Sequence, residues 1–210
     1  MTIFVFGATG ATGKLVVEQA LQNGHYVTAV VRNPDKFTLR HDHLKIIRGD
    51  VFQPKTYESD MRGHDAVVSC LGIQQTAPTT VYSDGVDNIM MAMEKENVNR
   101  IICLSAIAVV VPPKGSFLMK FMTRNILQRL YNHLYTDMLV MEKKLRASDL
   151  NWTIIRPPWL RDTRATGKYR VMINDHLRNP SKISRADLAG YIVNHLADEK
   201  TFKAVVQISY

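Results

Sequence analysis

Seven consecutive residues, Gly7-Ala8-Thr9-Gly10-Ala11-Thr12-Gly13, carry the strongest chemical signal in the chain. Glycines three apart leave backbone bare of Cβ atoms, so that a bulky anion can lie against it. The run follows Thr2-Ile3-Phe4-Val5-Phe6 and precedes Leu15, Val16, Val17, Ala20 and Leu21, a pattern of strand, tight turn and helix. In that context Gly7 turns the chain, Gly10 admits a pyrophosphate, and Gly13 lets the helix pack close to the strand. The helix start then offers N–H groups and a positive dipole end to phosphate oxygens. The alternative is a glycine-rich turn with no ligand; the strand and helix on its two sides favour the dinucleotide cradle.

Further candidates sit at the ends of later apolar runs. The second run closes Val30-Val31-Arg32-Asn33-Pro34, with Arg32 where an NAD-preferring site would place an acid. A guanidinium there suits the 2′-phosphate of NADP, with Lys36 adding charge; the other reading is a solvated strand end. Asp50 follows Gly49 and either bonds the adenine amino group, with Val51 packing on the ring, or caps a turn. Leu71-Gly72 would bring backbone near a ribose, and Ser105 would end its strand beside the nicotinamide, to orient a carboxamide, donate to an acceptor, or cap the strand. No tyrosine has lysine four residues on, which disfavours alcohol–ketone chemistry. Tyr131 and Tyr135 read as helix packing before cleft lining. His41 and His43 share a loop without further ligands at metal spacing, so no metal site is expected.

The elements that must position these residues alternate along the chain. Strands are expected at 2–6, 26–31, 44–47, 66–71, 101–104, 152–155 and 204–208, and helices after Gly13 and at 81–96, 117–147 and 184–197. Thr76-Ala77-Pro78-Thr79 supplies capping chemistry for the second helix, and residues 142–144 read as a solvated helix face. Residues 159–183 read as turn-rich and polar. The alternation implies an α/β fold: a single Rossmann-type doubly wound parallel sheet over residues 1–210, with a small C-terminal substrate-binding portion. Residues within 106–130 and 157–183 would wall a cleft at the carboxyl ends of the strands.

With 210 residues, 46% hydrophobic and 22% charged, the chain can bury a substantial core. Its net charge of +8 raises nucleic acid as a partner, but the basic residues are scattered, and attraction of a phosphate-rich cofactor explains them as well. The apolar stretch 101–111 ends at Pro112-Pro113, about half a membrane span, and no membrane partner is expected. The first residues already form a strand, so no leader is read there, and two isolated cysteines fit a reduced cytoplasmic setting. A monomer or a dimer is compatible with these features.

Taken together, the glycine run at 7–13, Val-Val-Arg-Asn-Pro at 30–34, Gly-Asp-Val at 49–51, Cys-Leu-Gly at 70–72 and Trp-Thr-Ile-Ile-Arg-Pro-Pro at 152–158 resemble the atypical short-chain dehydrogenase/reductases, in their NmrA-like, NAD(P)H-binding branch. Within that branch the chain is most similar to the biliverdin-IXβ reductase/flavin reductase type, through residues 78–85, 103–106, 145–148 and 183–188. The resemblance implies hydride transfer from NADPH, with NADH less favoured, to a planar acceptor such as FMN, riboflavin, biliverdin or a quinone. It implies that Gly7, Thr9, Gly10, Ala11, Thr12 and Gly13 hold the pyrophosphate, Arg32 the 2′-phosphate, and Asp50 and Val51 the adenine. It places Leu71 and Gly72 along the ribose, and Cys103, Ser105 and Pro157 beside nicotinamide and substrate. Met138 and Trp159 stand where that reductase type has histidines; with Pro158 they would make the acceptor pocket more apolar. Ser105 is the candidate catalytic residue. The rival reading is a non-catalytic NADP(H)-binding regulator or assembly factor of the NmrA-like kind.

Overall fold

A computed structural model of the chain describes residues 1–73, 77–111 and 116–210. Strand β1 (Thr2–Phe6) leads through the glycine turn into α1 (Ala11–Gln22), followed by β2 (Tyr26–Val31), β3 (Leu44–Arg48), β4 (Ala66–Ser69), α2 (Ser83–Lys95) and β5 (Arg100–Leu104). A helical stretch then comprises α3 (Phe117–Met122), a π-helical turn (Thr123–Leu127), α4 (Gln128–Leu130) and α5 (Asn132–Ala147). The chain closes with β6 (Asn151–Arg156), β7 (Trp159–Arg161), β8 (Arg170–Ile173), β9 (Lys182–Ser184), α6 (Arg185–Asn194) and β10 (Ala204–Ser209).

Eight strands form one sheet in the order β3-β2-β1-β4-β5-β6-β10-β8, parallel except for β8 against β10. The first six positions are those of a doubly wound dinucleotide-binding sheet, whose strand order reverses between β1 and β4. β7 and β9 pair apart from it as a short parallel ribbon. The stretch 159–183, expected as turn-rich and polar, also contains strand; β7, β8 and β9 are three or four residues long, below the length at which alternation is readable.

Side-chain alternation sorts the strands onto two layers. Ile3 and Val5 of β1 face α1 and α6, while Phe4 and Phe6 face α2 and α5. The same division repeats on β5 and β6, where Ile102 and Ile155 join the first layer and Ile101, Cys103 and Ile154 the second. Burial on both faces explains why these strands read as continuous apolar runs.

The start of α2 is capped across the fold. The Asp137 carboxylate on α5 accepts from the N–H groups of Tyr82 (2.9 Å) and Ser83 (3.2 Å). The capping expected from residues 76–79 is therefore supplied from 55 residues away; Thr79 accepts only from Val81 N–H, and Thr76 lies outside the described residues. At the other end of the chain, Ser184 caps α6, and its partner Asp187 accepts from Thr166 and Gly167 N–H, the Ser184 hydroxyl and the Tyr210 hydroxyl. That carboxylate ties the 166–167 turn and the last residue to the beginning of α6, next to Arg185.

Burial on its own would raise the Asp187 pKa, but the bonds from Tyr210, Thr166, Gly167 and Ser184 outweigh it and hold the carboxyl below its ordinary value. A depressed native pKa gives stability that is present above the unfolded-state value and lost as pH falls through the native one. Asp187→Asn is therefore expected to lower the urea midpoint at neutral pH, and the gap to the unsubstituted protein should close as the pH drops below about 4. A gap independent of pH would contradict this role. An ideal Cβ at Gly13 would lie 2.2 Å from the Gly7 carbonyl oxygen. Gly13→Ala should cost about 1–3 kcal/mol or more in urea unfolding, because backbone and not a flexible side chain must yield.

Candidate functional site

A cleft of about 460 Å³ opens at the carboxyl ends of β1, β2, β3, β4 and β5. Its floor is the glycine turn. Gly7 adopts φ +73°, and a Cβ there would stand 2.3 Å from the Cys70 carbonyl oxygen, so β1 and the chain after β4 can cross only at glycine. Gly10 is the N-cap of α1 and provides no side-chain cap, and the first turn contains no acidic residue. The opening N–H groups of α1 therefore face the cleft, where Thr9, Gly10, Ala11 and Thr12 line it, without an anionic partner of their own. Gly13 stands behind the lining and serves the packing of helix on turn.

One wall carries charge. Arg32 ends β2 exposed on the cleft rim, and no acidic residue pairs with it among the described residues. Asp50 lines the cleft beside it and caps its own turn: Oδ1 accepts from Phe52 N–H at 3.0 Å while its N–H donates to the Thr56 hydroxyl. Val51 is fixed below by Tyr57 and Asn88, which both donate to its carbonyl oxygen. Arg185, at the start of α6, reaches the cleft with one guanidinium nitrogen held by Asp162 at 2.7 Å.

The opposite wall is apolar: Leu71, Ile73, Val81, Tyr82, Met138 and Leu160, with Gly72 and Pro157. Burial pushes the Tyr82 hydroxyl up to about 12, and the Cys70 thiol, also at the wall, up to about 12. Neither group ionises near neutral pH; the charge near Leu160 is the Arg185 guanidinium, adjacent across the β7–β9 pairing.

Ser105 lines the cleft at the end of β5, and its hydroxyl donates to Glu142 Oε1 at 2.7 Å. Glu142 is buried and is held bidentately by Arg156, whose Nε lies 2.8 Å from Oε1 and whose Nη2 contacts Oε2. With its proton directed at a carboxylate, Ser105 presents a lone pair to a ligand and serves as an acceptor there. Glu142 corrects the solvated reading of residues 142–144. Lys144 does sit on the outer side and pairs with Asp87, but Glu142 points inward one turn after Met138. The signal that finds it is Arg156, a charge that directly follows Ile154-Ile155 and is buried at the end of β6, where it demands a buried partner.

Three expected site residues stand elsewhere. Cys103 is fully buried in the layer facing α2 and α5: it shares that face of the strand with Ser105 but sits two residues further from the carboxyl end, beneath the cleft. Trp159 is 66% exposed, and its neighbour Leu160 takes the cleft-facing position in β7. Pro158 lies between Pro157 and that strand without reaching the lining. Among the described residues none from 106–130 is in the wall; Pro157 and Leu160 represent the second expected stretch. Tyr131 and Tyr135 pack on each other with ring centroids 5.9 Å apart, and Tyr82 is the tyrosine at the cleft.

Known proteins match this arrangement. Residues 7–199 match the NAD(P)H-binding family. An uncharacterised chloroplastic protein of Arabidopsis thaliana is 32% identical over 98% of the chain and 75% of its own length. The photosystem II assembly factor Ycf39 of Synechocystis is 27% identical over 54% of the chain, which spans only 36% of that factor. A Streptococcus pneumoniae structure assigned as an NADH-flavin reductase superposes with a TM-score of 0.81 at 24% identity, covering all of this chain and 99% of that one.

Removing one side of the buried ion pair should cost more than removing both. Glu142→Leu is expected to destabilise by about 3–5 kcal/mol by leaving Arg156 buried and unpaired, and Glu142→Leu with Arg156→Leu by clearly less. Urea unfolding of the single and double variants checks this; equal losses would mean that the pair is not coupled in the folded state.

Proposed function

From the premise that the chain belongs to the NAD(P)H-binding family, we propose that it is an NADPH-dependent reductase of a planar conjugated acceptor, flavin-like before bilin-like. The observation that carries this reading is the composition of the cleft: an uncapped helix start and the Arg32 guanidinium, with no acidic partner among the described residues, together with the apolar lining of Leu71, Ile73, Val81, Tyr82 and Met138. NADPH, when bound, supplies a hydride from its nicotinamide ring.

The residues present fit that cofactor. The N–H groups at the start of α1 would hold the pyrophosphate over Gly7 and Gly10, whose missing side chains leave the approach open. Arg32 would pair with the 2′-phosphate through its planar fork. The second oxygen of Asp50, free of protein partners among the described residues, would accept from the adenine amino group, with Val51 against the ring. Leu71 and Gly72 would run along the ribose, and Ser105 would accept from the carboxamide, its orientation fixed by Glu142. Met138, Val81, Tyr82 and Leu160 would stack on the acceptor and exclude water. Reduction of a flavin takes up one hydride and one proton, and the proton can come from solvent. The chain therefore needs no titrating acid at the site, which agrees with a neutral Tyr82 and a Ser105 whose proton is engaged.

The similarity to an assembly factor supports a second reading, in which NADPH is bound and sensed without turnover. Absorbance assays of NADPH oxidation with FMN, riboflavin, biliverdin and a small quinone, with NADH in parallel, separate the two. Turnover with at least one acceptor, faster with NADPH than with NADH, is expected. Tight NADPH binding without oxidation by any acceptor would replace the reductase reading with the sensor. Arg32→Ala should lower the NADPH-to-NADH affinity ratio by about tenfold or more, the loss of one charge-assisted pair; an unchanged ratio would remove Arg32 from the 2′-phosphate site.

A further inference from the structure

A second organised surface lies away from the cleft. α3, the π-helical turn and α4 follow one another over residues 117–130, and the outward side of this rod is apolar. Phe117 is 86% and Leu118 67% exposed, and Phe121, Met122, Ile126 and Leu130 are exposed as well. Leu118, Met122, Ile126 and Leu130 are four residues apart, so they make one row along the rod, and the wider π turn keeps that row aligned. Thr123 is the buried side, and Gln128 fixes the rod to the body by donating to the carbonyl oxygens of Ala108 and Val109 at 3.1 and 3.3 Å. An apolar row of this size on a surface marks an interaction site.

Charge identifies the occupant. No acidic residue occurs between Glu96 and Asp137, while Lys120, Arg124 and Arg129 lie on the same rod, Arg124 and Arg129 exposed. A second copy of the chain seated here by two-fold symmetry would set those cations against their own images. A layer of anionic headgroups over an acyl boundary complements both features: the hydrocarbon takes the Phe and Leu side chains, and the headgroups pair with the cations. Among the described residues no helix is long and apolar enough to cross a membrane, so the contact is peripheral.

We propose that the rod at residues 117–130 docks the protein onto an anionic lipid surface, lying in the plane of the interface with Phe117, Leu118, Phe121 and Met122 inserted. The reading is independent of what the cleft binds. Co-sedimentation of the full chain with vesicles of phosphatidylcholine mixed with phosphatidylglycerol tests it. The protein is expected to pellet with these vesicles, at least about tenfold less with phosphatidylcholine alone, and less as salt is raised. Phe117→Ser with Leu118→Ser, and Lys120→Glu with Arg124→Glu, should each weaken partitioning about tenfold or more while the circular dichroism stays unchanged. Should a double variant misfold, Leu118→Gln alone carries the same expectation in the same direction. Failure to pellet with the mixed vesicles, or variants that pellet as the unsubstituted chain does, would overturn the proposal. So would variants that convert a dimer into a monomer in size exclusion without changing vesicle binding.

Discussion

The backbone crossing at Gly7 governs the rest of the site. There the end of β1 passes within side-chain distance of the Cys70 carbonyl, and one turn later α1 passes Gly13 against the Gly7 carbonyl, so that two glycines are stacked where no Cβ can be placed. This closeness aims the uncapped start of α1 at the point where the sheet order reverses. The proposed anion site rests on this positioning, because the N–H groups there have no competing side chain. The positions of β4 and of Leu71 and Gly72 across the cleft follow from it too, since the same crossing sets the path of the chain after Ser69.

A second constraint acts from below the apolar wall. Glu142 and Arg156 bridge α5 to the end of β6, and through Ser105 they reach the end of β5. Asp137, one turn earlier on α5, anchors the start of α2 and therefore Tyr82. One helix thus fixes three parts of the cleft: Met138 directly, Tyr82 through a cap, and Ser105 through a carboxylate. Buried charges that are fully hydrogen-bonded are expensive to disturb, which suits a site whose geometry must not drift.

The glycine-turn half of the cleft was legible in the sequence because its determinants are local. Glycine spacing, the strand before it and the helix after it fall within two dozen residues, and Arg32, Asp50 and Gly72 each follow within three residues of the end of a strand. The apolar half was not, because its determinants are pairs separated by long stretches of chain. Asp137 looks like any helix-surface acid until it is found on the N–H groups of Tyr82 and Ser83. Glu142 reads as solvated beside Lys143 and Lys144 until Arg156 is recognised as a charge within a buried strand. Cys103 and Trp159 stand off the cleft for different reasons: Cys103 lies two residues below the end of its strand, on the same face as Ser105, and the two-residue period of β7 turns Trp159 outward while Leu160 lines the cleft.

The central claim is that the uncapped start of α1 and the lone guanidinium of Arg32 together form a phosphate site for NADPH. A crystal structure of the chain grown with NADP⁺ tests it most directly. The account predicts the diphosphate over Gly7 and Gly10, within hydrogen-bond distance of the opening N–H groups of α1, and the 2′-phosphate on the Arg32 guanidinium. A diphosphate bound away from the glycine turn, or a 2′-phosphate in solvent with Arg32 turned elsewhere, would contradict it.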